Sequence, residues 1–127
     1  MRILIVEDQE SLANLIKDGL ESEGFSADCI LTGETVLAQV MTANIKYDLI
    51  LLDNMLPKKN GLEVCKSLRK EKIMIPIFML TAKDNPSDII KALEAGADDY
   101  LIKPFSFQVL LEKIRAITNQ RRMLLEK

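Results

Sequence analysis

The chain has 127 residues, 48% of them hydrophobic and 28% charged, and its 17 basic and 19 acidic residues give a net charge of -2. This length predicts a single domain with a hydrophobic core, and the balanced charge argues against a domain that itself clamps nucleic acid. The absence of histidine excludes histidine-based acid–base chemistry and histidine metal sites. Cys29 and Cys65 lack metal-site spacing, so we expect reduced thiols in a cytoplasmic protein. With no signal peptide and no apolar run of bilayer length, no membrane association is expected.

The first half of the chain alternates short apolar runs with amphipathic segments. The runs predict three strands, at residues 3–6, 25–31 and Leu49–Asp53, of which the second is weaker and nearer a sheet edge. A first helix is indicated by four apolar residues at helical spacing, Leu12, Leu15, Ile16 and Leu20. Gly24 is expected to end this helix, and residues 34–42 are expected to form a short second one.

The second half of the chain continues the alternation with clearer helix ends. Asn60, with Glu63 three residues later, predicts the N-cap of a third helix. That helix is expected to bury Leu62, Val64, Cys65 and Leu68. Asn85 before Pro86 predicts the start of a fourth helix, and Gly96 its end. The remaining predicted elements are a strand at 76–80 ending at Thr81, a strand at 100–102 and a last helix at 107–119.

Five strands that alternate with five helices predict an α/β fold. The expected architecture is a doubly wound (βα)5 open parallel sheet with right-handed crossovers and helices on both faces. Its expected strand order is the flavodoxin-like 2-1-3-4-5. Such a sheet binds its ligand outside the carboxyl ends of the strands, at the switch point between the first and third strands.

Chemically distinctive residues follow four of the five predicted strands. Glu7 and Asp8 follow the first strand, Asp53 ends the third, Thr81 ends the fourth and Lys103 follows the fifth. Each has an ordinary alternative: Asp8 could cap the first helix, Thr81 could simply end a strand, and Lys103 could be a solvated surface lysine. Their coincidence on one edge of the sheet predicts a functional site.

The charges of this group indicate its chemistry. Three carboxylates in a partly desolvated cleft repel one another unless they are protonated or share a cation. Oxygen ligands without histidine or cysteine favour Mg²⁺. A metal between Asp8 and Asp53 would cancel the charge that repels an incoming phosphoryl group, while Lys103 and Thr81 would contact phosphoryl oxygens. A carboxylate so placed can act as a nucleophile and become an aspartyl phosphate.

From residue 2 to about residue 115, the sequence resembles a receiver domain of the two-component response regulators. The residues that carry the resemblance are Val6-Glu7-Asp8, Leu52-Asp53, Met55-Leu56-Pro57 with Gly61, Leu80-Thr81-Ala82, the segment 94–100 (EAGADDY) and Lys103-Pro104-Phe105. The resemblance implies a signalling phosphoacceptor rather than an enzyme that turns over a separate substrate.

The same resemblance implies a role for each residue of the site. Asp53 would be phosphorylated by a partner histidine kinase, with Mg²⁺ held by Glu7, Asp8, Asp53 and the main-chain carbonyl of Met55. Thr81 and Tyr100 would move together as a switch pair, and Lys103 would contact the phosphoryl group. The Lys103-Pro104 peptide bond is expected to be cis.

The closing stretch is most similar to the receivers that drive winged-helix DNA-binding domains and dimerise through the fourth helix, fifth strand and fifth helix. Lys91, Asp98, Asp99 and Arg115 match that charged face, whereas Val109 replaces an acidic residue usual there. We expect a homodimer on phosphorylation, with no direct nucleic-acid contact by this domain. Residues 1–120 are predicted to form the receiver and 121–127 a tail or the start of a linker. An excised receiver whose DNA-binding output domain is absent is favoured over a single-domain regulator.

Two other classes of protein are alternatives. A phosphatase of the haloacid-dehalogenase type also uses a strand-end aspartate, but its usual second aspartate two residues later is Met55 here, which transfers no protons. A flavodoxin-like electron carrier needs a phosphate-binding loop after the first strand, where this chain instead has Glu7, Asp8, Gln9 and Glu10.

Overall fold

The computed structural model describes residues 1–42, 45–82 and 86–125, with side chains described up to residue 120. The elements are β1 (Arg2–Val6), α1 (Glu10–Ser22), β2 (Ser26–Ile30), α2 (Val36–Met41), β3 (Leu49–Asp53), α3 (Gly61–Lys70), β4 (Ile77–Thr81), α4 (Pro86–Glu94), β5 (Asp99–Ile102) and α5 (Phe107–Leu125). Among the helices in these ranges, none has the length and hydropathy that a membrane span requires.

The five strands pair in parallel in the order β2-β1-β3-β4-β5. Every residue of β3 and β4 is buried, because central strands of such a sheet are covered on both faces, and this explains their unbroken apolar sequences. β2 and β5 form the edges and are partly exposed. The predicted doubly wound sheet of order 2-1-3-4-5 is therefore confirmed.

Alternate residues of the strands point into two hydrophobic layers, one on each face of the sheet. Leu4, Ile50 and Met79 lie in the layer that packs against α2, α3 and α4. Ile5, Leu51 and Phe78 lie in the layer that packs against α1 and α5. Because helices cover both faces of the sheet, polar groups can lie together at the carboxyl ends of the strands.

Most of the predicted helix ends are confirmed. The Asn60 side chain accepts a hydrogen bond of 3.0 Å from the Glu63 N–H and caps α3. Gly24 and Gly96 adopt φ values of +92° and +112° just past α1 and α4, a conformation that residues with side chains rarely adopt. α1 has Gln9 rather than Asp8 at its N-cap position. The predicted cap Asn85 lies outside the described residues.

Three predictions about the helices need correction. Leu15 does not belong to the buried face of α1, since 69% of it is exposed while Ala13, Ile16 and Leu20 are buried. α2 covers only Val36–Met41. α5 continues past residue 119 to Leu125.

Candidate functional site

The register of the parallel strands brings the predicted site residues together. Val6 is paired with Leu52, so Glu7 and Asp53, the next residue of each chain segment, lie side by side. Glu7 is 0% exposed and Asp53 3% exposed, whereas Asp8 lies at the surface. Thr81 is buried at the end of β4. It pairs with Ile102, and this register places Lys103 at the same edge.

Lys103 provides the positive charge of the site. Its N–H donates to the Thr81 carbonyl at 2.7 Å, which holds the chain after β5 beside β4. Its Nζ donates to Glu7 Oε1 at 2.6 Å and lies 3.3 Å from Asp53 Oδ2. The Lys103-Pro104 peptide bond is cis, as predicted. The lysine is thus an integral part of the carboxylate cluster and not a solvated surface residue.

Burial and neighbouring charges shift the pKa values of Glu7 and Lys103. Burial, followed by the adjacent Asp53 carboxyl group, raises the pKa of Glu7 to about 7 even though Lys103 acts in the opposite direction. Burial lowers the pKa of Lys103, but the hydrogen bond to Glu7 and the Asp53 charge outweigh that effect, and the net shift is upward. Glu7 is therefore harder to ionise than an ordinary glutamate, whereas Lys103 keeps its proton more firmly than an ordinary lysine.

The acidic cluster fits a hard divalent cation. One oxygen from each of Glu7, Asp8 and Asp53 lies within 4.8 Å of the others. Glu7 Oε2 is buried and has no hydrogen-bond partner among the described residues, which is costly unless a cation satisfies it. A set made only of oxygen ligands suits Mg²⁺. Met55 lies two residues beyond Asp53 and donates its N–H to Asp53 Oδ1 at 3.1 Å, so its main chain adjoins the cluster.

The profile of the response regulator receiver domain matches residues 3–115 of this chain. The chain belongs to the response regulator receiver family. This match covers both the acidic cluster and Lys103.

Several curated relatives of this receiver domain are transcriptional regulatory proteins by name. The chain is 47% identical over 116 residues to the alkaline phosphatase synthesis transcriptional regulatory protein PhoP of Bacillus subtilis, covering 91% of this chain and 48% of that protein. It is 43% identical over 124 residues to the transcriptional regulatory protein DltR of Streptococcus agalactiae, covering 98% and 54%. The receiver domain therefore spans about half the length of the curated relatives it matches.

Solved structures agree with this assignment. The receiver domain of the Francisella response regulator 1452 superposes with a TM-score of 0.88 at 32% identity, over 94% of this chain and 98% of that one. A two-component response regulator from Clostridium difficile gives a TM-score of 0.87 at 33% identity, over 97% and 98%.

The predicted switch residues occupy neighbouring strands. Thr81 is buried at the end of β4, at the edge that carries the acidic cluster. Tyr100 lies in β5 opposite Met79. It is partly buried and packs against the hydrophobic layer on the α3 and α4 side of the sheet. The predicted switch residues thus lie on adjacent strands of the sheet, and their coupled movement stays a prediction.

The charged residues of the predicted dimer face differ in the partners that they contact within the chain. Asp98 Oδ2 accepts hydrogen bonds from Arg69 Nη2 at 3.0 Å and from the Ile77 N–H at 2.8 Å, so it joins β4 to α3. Asp99 pairs with Lys113 at 2.8 Å. Sequence reasoning assigned neither Arg69 nor Lys113 a role, and no local motif marks them.

The two remaining residues of that face lie apart. Arg115 contacts Glu23 Oε2 at 3.3 Å, beside the end of α1, so the structure does not bring it together with Asp99. Lys91 borders a cleft that also contains Asp8 and Met55. Dimerisation through the four predicted residues stays a prediction.

Proposed function

We propose that this receiver domain is a cytoplasmic, phosphorylation-activated switch of a two-component system, in which Asp53 accepts a phosphoryl group from a sensor histidine kinase. The observation that carries the proposal is the position of Asp53. It is almost completely buried at the centre of the strand ends, with Glu7 on one side and the Lys103 ammonium group 3.3 Å away. Asp53 would be the group modified and not a catalyst of turnover.

The transfer requires one bond to form and one to break. An Asp53 carboxylate oxygen attacks the donor phosphorus, and the bond from phosphorus to the donor nitrogen or oxygen breaks with its electron pair going to the donor. Lys103, released from Glu7 and Asp53, would pair with one phosphoryl oxygen, and the Thr81 hydroxyl would donate to another. Held by Glu7, Asp8, Asp53 and the Met55 carbonyl, Mg²⁺ would offset the negative charge of the cluster and of the phosphoryl group.

The output would pass through the surface formed by α4, β5 and α5. Thr81 would turn towards the phosphoryl group and Tyr100 would move inwards, which favours the state that interacts better with phosphate. Exposed ion pairs contribute only about 0.2–1 kcal/mol each, so a homodimer through this surface needs apolar contact as well. Regulation of transcription would then require a DNA-binding domain outside this chain, consistent with the names of relatives of which the chain covers about half.

Incubation with acetyl phosphate and Mg²⁺, followed by intact-mass spectrometry, tests the proposal. The wild-type protein should gain the mass of one phosphoryl group, and Asp53→Asn should gain none. Asp18→Asn, which changes an exposed aspartate of α1, is the matched control and should behave as wild type. A full mass increase in Asp53→Asn would show that another residue is the acceptor.

A further inference from the structure

Gly33 is the point at which the loop after β2 (residues 31–35) packs directly against the loop after β3 (residues 54–60). Gly33 is buried. A Cβ atom at this position would overlap the backbone carbonyl oxygen of Lys59 and would lie 2.9 Å from Val64 Cγ2. The first of these atoms belongs to the backbone, so no side-chain rotation can make room for the Cβ atom. Glycine therefore allows an approach between the two loops that a residue with a side chain would prevent.

The loop after β2 has little room to move away from this contact. One end is fixed because the carbonyl of Ile30, the last residue of β2, accepts a hydrogen bond of 3.0 Å from the Glu7 N–H. The other end leads into α2, whose first residue, Val36, is completely buried. The loop after β3, in contrast, is mostly exposed. A side chain at Gly33 would therefore displace the loop after β3 rather than its own loop.

The loop after β3 contains a backbone conformation that needs support from its surroundings. Lys58 has a φ of +65°, and the Lys59 N–H donates to the Pro57 carbonyl at 2.7 Å across it. Three-residue turns with a positive φ are rare and strained, and strained backbone persists only where the surrounding structure holds it. The contact with the loop after β2 supplies such support, because it is made by the carbonyl of this turn.

The same loop carries the main-chain carbonyl expected to bind Mg²⁺. Met55 precedes Leu56, which is buried and has its Cδ1 3.4 Å from the position of a Cβ atom at Gly33. The Met55 N–H donates to Asp53 Oδ1 at 3.1 Å, so its main chain adjoins the acidic cluster. A shift of the loop would therefore move the Met55 carbonyl relative to Glu7 and Asp53, which the paired strands hold in place.

We propose that the packing of this loop against Gly33 holds the Met55 carbonyl in position for Mg²⁺, which makes Gly33 a positioning residue of the site. The inference rests on the proposed function and adds to it a residue outside the acidic cluster. Gly33 acts through the loop and does not itself bind the ion. Altering a group that orients a metal ligand typically changes the metal affinity by about 10–100-fold. Because only the Met55 carbonyl is positioned in this way, we expect an effect at the lower end of that range.

Isothermal titration calorimetry with Mg²⁺ tests the inference. Gly33→Ala should weaken Mg²⁺ binding about ten-fold. Gly24→Ala is the matched control, because the φ of +92° at Gly24 disfavours a side chain while a Cβ atom there would meet none of the described residues within 4 Å. The control should lower the melting temperature and leave the Mg²⁺ affinity unchanged. Equal affinities for the wild-type protein and Gly33→Ala would overturn the inference.

The rate of phosphorylation by acetyl phosphate separates the placing of the metal from damage to the acceptor. In Gly33→Ala the rate should fall when Mg²⁺ is below the wild-type Kd and should approach the wild-type rate at saturating Mg²⁺, because Asp53 and Lys103 are unaltered. A deficit that persists at saturation would mean that the substitution disturbs Asp53 itself, and would overturn the inference. No phosphoryl uptake by the wild-type protein would instead overturn the proposed function, while the Mg²⁺ titration would still decide the role of Gly33.

Leu56→Val tests the same packing from the other loop. It shortens the side chain that lies beside Gly33, and it is a small enough change to keep the fold even if Gly33→Ala does not fold. Mg²⁺ binding should weaken about two- to three-fold, because the loop is then held less firmly. An unchanged Mg²⁺ affinity in Leu56→Val would show that the packing of this loop does not set the position of the Met55 carbonyl.

Discussion

Lys103 and Glu7 form a 2.6 Å ion pair across the carboxyl edge of the sheet, although 96 residues separate them in the chain. Glu7 is completely buried, and its second oxygen has no partner among the described residues. The single ammonium group therefore serves two buried carboxylates, since it also lies 3.3 Å from Asp53. Mg²⁺ and the lysine would compete for the same negative charge.

Removal of the lysine should reveal this competition. Lys103→Met should destabilise the metal-free protein, because buried carboxylates lose their counter-ion, and should tighten Mg²⁺ binding about ten-fold, or about 1.4 kcal/mol. Isothermal titration calorimetry measures the affinity, and thermal melts with and without Mg²⁺ measure the stability. Lys113→Met, which breaks the ion pair with Asp99, should leave the affinity unchanged. Weaker Mg²⁺ binding by Lys103→Met would contradict the competition.

The raised pKa of Glu7 predicts an unusual pH dependence of stability. Because its pKa of about 7 in the folded protein exceeds that of an unfolded glutamate, the native state binds more protons and loses stability as the pH rises through the interval between the two values. The loss is at most about 3–4 kcal/mol, because the pKa rises from 4.5 to about 7 and each pKa unit corresponds to about 1.4 kcal/mol. Urea unfolding of metal-free protein from about pH 5 to about pH 8 would measure it.

Glu7→Gln provides the control for this pH effect. The variant cannot ionise at this position, so the stability difference between it and wild type should grow in its favour as the pH rises. Mg²⁺ should reduce that difference in the wild-type protein, because a bound cation favours the ionised carboxylate. A stability difference independent of pH would show that Glu7 does not titrate in this interval.

Arg69 should contribute more to stability than an exposed arginine. Its guanidinium group donates to the carbonyls of Gly96, Ile73 and Ile75 at 2.7–3.0 Å as well as to Asp98. Arg69→Met keeps the apolar stem but leaves these acceptors without their donor, and should cost about 2–4 kcal/mol.

Arg115→Met is the matched control for Arg69. The Arg115 side chain is 54% exposed in its pair with Glu23, against 17% for Arg69. Its loss should therefore cost less than about 1 kcal/mol. Urea denaturation gives both free energies of unfolding, and equal costs for the two substitutions would contradict the structural role of Arg69.

The dimer proposed for the phosphorylated state should depend mainly on apolar contacts. Ile90, Leu93 and Val109 are exposed on α4 and α5, while Asp98 and Asp99 already have partners within the chain. Beryllofluoride, a phosphoryl mimic, should shift the protein towards a weak dimer with little salt sensitivity, and Ile90→Ser should weaken that dimer. Light scattering at two salt concentrations would measure both effects. Leu15→Ser, which changes an exposed leucine of α1, is the control and should leave the dimer unchanged. If Leu15→Ser disrupts the dimer and Ile90→Ser does not, the interface lies elsewhere.

The amino-acid sequence determined the alternation of strands and helices and which residues lie at the ends of the strands. Both are local properties: apolar runs mark buried strands, Gly24 and Gly96 mark helix ends, and the residue after a parallel strand necessarily lies at the carboxyl edge. Glu7, Asp53 and Lys103 could therefore be assigned to one site without coordinates.

Only the tertiary structure decided how the charged side chains are paired and which apolar ones are covered. Arg69 and Asp98 are 29 residues apart, and Arg115 and Glu23 are 92 apart. The spacing of apolar residues shows which side of a helix is buried but not how wide the buried face is. The sequence therefore could not show that Leu15 is exposed while the adjacent Ile16 is buried. The physical reason is that ion pairs and burial depend on which helix surfaces meet, and this is set by packing across the sheet rather than by neighbours in sequence.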